Sequence, residues 1–228
     1  MPEQWDVDVD GIRLRVRVWP CAHSRHPPVV LLPATGETAE DWDAFAPLLQ
    51  PSRTVCAVNL RGHGGSDWPG DYSIQAMADD VTGLLDRLDE PVDLVGHSLG
   101  GLVACAVASA QPQLVRRLVL EDVGVPHRRP PVPPSRPPGD LPFDWRMVEQ
   151  VRPEIDDPDP GWADVVAAVA APTLVIAGGP GSPVPQEDVA ELVGLVPDGR
   201  LVTLDTGHFV HETRPDEFTH HLMAFLDA

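Results

Sequence analysis

Gly96-His97-Ser98-Leu99-Gly100 is the stretch on which the reading of this chain turns. The residues before it, Val92-Asp93-Leu94-Val95, form a short strand-like run. Those after it, Leu102-Val103-Ala104-Cys105-Ala106-Val107-Ala108, read as a helix. A serine at the tip of a sharp strand-to-helix turn sits in strained backbone geometry that only small neighbours permit. Gly96 and Gly100 supply that smallness, and Gly101 extends it. The hydroxyl then projects beside the helix N-terminus, whose free N–H groups can stabilise a developing oxyanion. A Gly/Ser turn alone says little; between a β run and an α run it points to a nucleophile.

Strand and helix signals alternate on both sides of this turn, with no internal repeat. Val7–Val9 and Ile12–Val18 alternate polar and apolar around Asp10-Gly11, which predicts a β-hairpin. Val29–Leu32 is continuously apolar, as expected of a strand covered on both faces. Ala39–Leu49 reads as a helix and Val55–Val58 as a strand. Ser73 caps a helix with spaced apolar residues from Met77 to Leu88. Beyond the central turn come strands at Leu118–Leu120, Thr173–Ile176 and Leu201–Leu204, and helices at Val189–Val196 and Phe218–Leu226. This alternation predicts an α/β fold: a mostly parallel twisted sheet of about eight strands with helices on both faces. The 228 residues suit a single domain, 1–228.

Residues 124–162 break the rhythm with eleven prolines, from Pro126 to Pro160. Proline removes a donor and clashes with the preceding turn, so only Trp145–Val151 has room for a short helix. Phe143, Trp145, Met147, Val148 and Trp162 give the segment apolar surface, which favours a small ordered cap inserted over the site.

Composition narrows the partners. Net charge is −19, and every basic residue is arginine, so the basic footprint of a nucleic-acid binder is absent. Such a field repels polyanions and favours neutral or cationic ligands. No apolar run approaches the roughly 20 residues that cross a bilayer, and no signal peptide is visible. Cys21, Cys56 and Cys105 lack metal or redox spacing; Cys56 and Cys105 read as core residues, and a reduced cytoplasm fits best. The expectation is a small-molecule substrate, with no nucleic acid, membrane, metal or organic cofactor. The oligomeric state is left open.

A serine hydroxyl needs a base. Of nine histidines, His208 stands out: it lies in Asp205-Thr206-Gly207-His208-Phe209, where a loop leaves the C-terminal edge of the sheet. His97 fills the variable place of the central turn, and His63 sits in the turn Arg61-Gly62-His63-Gly64-Gly65-Ser66. His211, His220 and His221 fall at or within the last helix, where charge on its face is unremarkable.

The chain resembles the α/β-hydrolases, from the first hairpin to the last helix. The likeness rests on the 96–100 turn, the stretch Asn59-Leu60-Arg61-Gly62-His63-Gly64-Gly65-Ser66, and the Gly207-His208 loop. It implies Ser98 as nucleophile, His208 as general base and the Leu99 N–H as one oxyanion donor. It also implies a cap between the sixth and seventh strands. The sequence departs from the family twice. Where members carry His-Gly after the third strand, this chain has Leu32-Pro33-Ala34-Thr35-Gly36, which puts Thr35 in the second donor position. Where members carry Asp after the seventh strand, it has Gly178-Gly179-Pro180-Gly181-Ser182-Pro183-Val184-Pro185, without a carboxylate from Val175 to Gln186. Some lipases of the family keep the acid at the end of the sixth strand, where Leu120-Glu121-Asp122 stands here. That carries the acid role to Asp122, with Glu121 as rival and a Ser/His dyad as the third option.

The resemblance and the short apolar cap together imply a serine esterase for a small neutral ester, lactone or thioester. The same constellation could cleave a C–C bond or an amide, and a ligand receptor that kept the site without turnover is the reading from another class.

Overall fold

The computed structural model describes residues 1–228. β1 (Glu3–Val9) and β2 (Ile12–Trp19) form the expected hairpin. β3 (Val29–Leu32) leads to a 3-10 turn at Ala39–Trp42, the one-turn α1 (Ala46–Leu49) and β4 (Val55–Val58). Residues 39–49 are therefore two short pieces rather than one helix. Pro47 cannot donate to a preceding turn, so it is accommodated by starting a new helix at Ala46. α2 (Ile74–Leu85) starts where Ser73 Oγ accepts the Ala76 N–H at 3.0 Å.

β5 (Val92–His97), α3 (Leu99–Ala110) and β6 (Val115–Glu121) form the middle of the molecule. They are followed by α4 (Trp145–Asp156), α5 (Trp162–Ala167), β7 (Thr173–Ala177), α6 (Gln186–Leu195), β8 (Gly199–Thr203), α7 (Val210–Thr213) and α8 (Pro215–Leu226). The eight strands make one sheet in the order β1-β2-β4-β3-β5-β6-β7-β8. β2 runs antiparallel to β1 and β4; every other pair is parallel.

β3, β4, β5 and β7 are buried along their whole length, because both faces of the sheet are covered. Successive side chains take opposite faces. Leu94 therefore joins a layer built with α2, α3 and α6, and Val95 joins a smaller layer built with Trp42, Phe45 and α8. Cys56 and Cys105 are buried, and burial pushes both thiols up to about 12. No helix is long and apolar enough to cross a membrane.

The proline-rich segment holds a longer helix than expected. α4 runs on through Pro153 to Asp156. Asp144 caps its start by accepting the Arg146 N–H, and Arg152 bonds Asp156 one turn later, across the proline. The segment is fastened to the body through an isolated bridge between His63 and Phe143, and by the Tyr72 hydroxyl donating to Asp144 at 2.8 Å. Met147 and Val151 enter the larger core layer.

Candidate active site

β5 ends at His97 and α3 begins at Leu99, leaving Ser98 alone to make the turn. It does so at φ 52° and ψ −114°, a left-handed conformation that costs a non-glycine residue of order 1–3 kcal/mol. The neighbouring glycines are required by close approach. A Cβ on Gly100 would stand 2.5 Å from the Leu32 carbonyl oxygen, and one on Gly96 would overlap the Gly100 carbonyl. The Ser98 N–H donates to the Glu121 carbonyl at 3.1 Å, which ties the turn to the end of β6.

Only three non-glycine residues have positive φ: Asp10 in the hairpin, Ser98, and Asp122 at φ 51°. The kink at Asp122 separates the two adjacent acids. Glu121 turns to His211, with Oε2 2.8 Å from Nδ1. Asp122 turns to His208, with Oδ2 2.6 Å from Nδ1. The Asp122 carboxylate, fully buried, also accepts the Gly178 N–H at 2.8 Å and the Ser182 hydroxyl. Both donors come from the segment after β7 that lacks its own carboxylate. Gly178 packs so tightly there that a Cβ would overlap the Gly207 carbonyl oxygen.

Ser98, Leu99, Thr35, Asp122 and His208 all line one cavity of about 380 Å³. Leu99 is the first residue of α3, so its N–H has no partner within the helix. Thr35 sits in a turn closed by the Glu37 N–H donating to the Ala34 carbonyl at 3.1 Å. His63 supports this turn. Its Nε2 accepts the Gly36 N–H at 3.2 Å, and its Nδ1 donates to the Arg61 carbonyl at 3.1 Å. Burial lowers the His63 pKa to about 4, which keeps the ring neutral and able to accept.

His211, expected as an ordinary helix-face charge, is instead buried in the one-turn α7, stacked on Trp42 at 4.2 Å. It belongs to a cluster with Glu121 and His97. His97 Nδ1 lies 3.3 Å from Glu37 and Nε2 lies 2.9 Å from the His208 carbonyl oxygen. Burial alone would lower the His97 pKa, but Glu121 and Glu37 overcome it and raise it to about 9. Burial alone would likewise raise the Glu121 carboxyl; the two histidines hold it below the usual value. His97, Glu121 and His211 are close enough to share a cation, as are His127, Asp188 and Glu191 at the surface. Both His97 nitrogens already face acceptors, and an imidazolium has no lone pair for a metal. Of these supporting groups, His63 carried a sequence signal as part of a glycine-rich turn, Glu121 as the rival acid, and the Gly178–Ser182 run through its missing carboxylate.

The family model that describes the alpha/beta hydrolase fold matches residues 27–155. An uncharacterized Mycobacterium tuberculosis protein is 44% identical over 100 residues, 43% of this chain and 29% of the relative, so the match spans less than a third of that relative's length. The sn-1-specific diacylglycerol lipase ABHD11 of Mus musculus is 26% identical over 229 residues, covering 80% of this chain and 75% of the relative. The crystal structure of an N-formylmaleamic acid deformylase from Pseudomonas putida superposes with a TM-score of 0.83 at 24% identity, covering 96% of this chain and 99% of the other.

Proposed function

The chain belongs to the alpha/beta hydrolase fold family, and on that premise we propose that it is a serine hydrolase cleaving a small ester, lactone or thioester through an acyl-enzyme on Ser98. The observation that carries the reading is one arrangement. Ser98, held left-handed at the β5–α3 turn, opens on the same cavity as His208, whose far nitrogen lies 2.6 Å from a buried carboxylate.

In this mechanism His208 Nε2 takes the Ser98 proton as Oγ attacks the substrate carbonyl. Asp122 fixes the tautomer with the proton on Nδ1 and stabilises the imidazolium that forms. The Leu99 and Thr35 N–H groups receive the oxyanion. The departing alcohol or thiol leaves with the proton from His208. Water then gives its proton to the same nitrogen, attacks the acyl carbonyl, and releases the acid and free Ser98. The mouse relative's name supports ester cleavage in particular.

Turnover of a p-nitrophenyl ester, combined with fluorophosphonate labelling, tests the proposal. A hydrolase cycles and loses both signals in Ser98→Ala. Stoichiometric labelling without cycling would leave the receptor reading standing.

A further inference from the structure

Three of the sixteen arginines, Arg128, Arg129 and Arg152, line the cavity that contains Ser98 and His208. In a chain of net charge −19, three arginines on one cavity are a local concentration of positive charge. Arg128 is 83% exposed beside Asp157, and such pairs contribute little. Arg129 and Arg152 are mounted differently. Arg129 comes from the loop before α4 and Arg152 from within α4; their side chains are 41% and 35% exposed, and they share one acid, Asp156, which is 2% exposed.

Each uses only the Nε edge of its guanidinium on that acid. Arg129 Nε lies 2.6 Å from Oδ1, and Arg152 Nε lies 2.9 and 2.8 Å from the two oxygens. The Arg129 N–H also donates to the Asp156 carbonyl at 2.8 Å, which fixes the backbone under the pair. Burial pushes the Asp156 carboxyl up, and the hydrogen bonds from the two arginines outweigh it, so the acid stays ionised. Two cations against one anion leave a net positive charge, and the terminal nitrogens of both guanidiniums have no protein acceptor. Two further acids line the cavity: Asp122, engaged by His208, Gly178 and Ser182, and Asp188, whose carboxyl is pushed up from its usual value by burial. Val123, Val125 and Ile155 supply apolar wall in the same cavity.

We infer that Arg129 and Arg152 form an anion-binding end of the substrate pocket, and that the substrate carries a carboxylate on a short apolar arm. The inference rests on the serine-hydrolase reading of the same cavity. A planar carboxylate matches the paired N–H groups of a guanidinium edge, and burying those donors beside a neutral chain end would leave them unsatisfied. The neutral substrate expected from an apolar cap gives way here to an acidic one.

The test uses matched pairs on the intact protein. On the acyl side, the p-nitrophenyl half-ester of glutaric acid is compared with p-nitrophenyl pentanoate. On the leaving-group side, the butyrate ester of glycolic acid is compared with propyl butyrate. At least one pair is expected to favour the carboxylate by tenfold or more in kcat/KM. That preference should fall at least tenfold in Arg152→Gln and in Arg129→Gln, and should shrink as ionic strength rises. No preference in either pair, or a preference unchanged in both variants, overturns the inference. If no ester turns over at all, the hydrolase reading fails separately. Calorimetric binding of glutarate then still decides the anion site, which requires binding to the intact protein and its loss in Arg152→Gln.

Discussion

His97 Nε2 lies 2.9 Å from the backbone carbonyl oxygen of His208, while its Nδ1 faces Glu37 at 3.3 Å. Both neighbours can only accept, so the ring holds two protons and its charge anchors the loop that carries His208. The groups around it are Glu37 from the loop after β3, Glu121 at the end of β6, His211 on α7, and His208 itself. The His97 pKa is raised in the folded state, from 6.5 to about 9. Its contribution is therefore complete below pH 6.5 and lost as pH climbs through about 9, of order 3 kcal/mol in all. The thermal midpoint should fall between pH 7 and 10, and fall less in His97→Gln. Identical slopes for the two proteins would show that another group controls the alkaline limb.

Ser98→Ala should abolish fluorophosphonate labelling and ester turnover while the fold persists. Ser98→Gly should do the same and also raise the thermal midpoint, because glycine relieves a φ of 52°. A labelled alanine variant would move the nucleophile elsewhere. His208→Ala should lower kcat by on the order of 10³-fold or more.

Asp122→Asn and Glu121→Gln should separate catalysis from stability. The first removes the charge behind His208 and should cost on the order of 10²- to 10⁴-fold in kcat. The second strips the partner from two buried histidines and should cost about 3–5 kcal/mol of stability, with a far smaller loss in kcat per folded molecule. Denaturant unfolding and active-site titration measure the two quantities. The reverse ranking in kcat would hand the acid role to Glu121.

The donors to Asp122 can be tested in the same way. Gly178→Ala forces a methyl group into the Gly207 backbone and within 3.2 Å of Asp122 Oδ1, so the loop bearing His208 must shift. It should lose more activity than Ser182→Ala, which removes one hydroxyl donor without steric conflict. Equal kcat in wild type and both variants would show that the carboxylate holds its place without this cradle.

The middle of the sheet was legible because its buried strands write their burial into composition. Val29–Leu32 and Val55–Val58 are apolar throughout and lie covered on both faces. The Gly-flanked Ser98 was legible for the same local reason. Placing an acid at the end of the sixth strand followed from a missing carboxylate after the seventh. Pairing Glu121 and Asp122 with different histidines did not follow, since it depends on a backbone kink that no residue type announces. His97 and His211 were obscure because their carboxylate partners lie 60 and 90 positions away. The helix through Pro153 was missed because its N-cap and a side-chain pair offset the bond that proline forfeits.

β5 and β6 run parallel in fixed register, with Gly96 opposite Leu120 and His97 opposite Glu121. Ser98 and Asp122 are the first residues past the ends of these strands, so the separation of the strand ends from which they turn is set by the inter-strand repeat of a sheet, about 4.8 Å. The cap contributes nothing to that spacing. Sequence change between residues 124 and 162 can therefore alter the cavity wall without changing that spacing, provided Phe143, Asp144, Met147 and Val151 keep their contacts with the body. In an evolving lineage the two would be free to change at different rates.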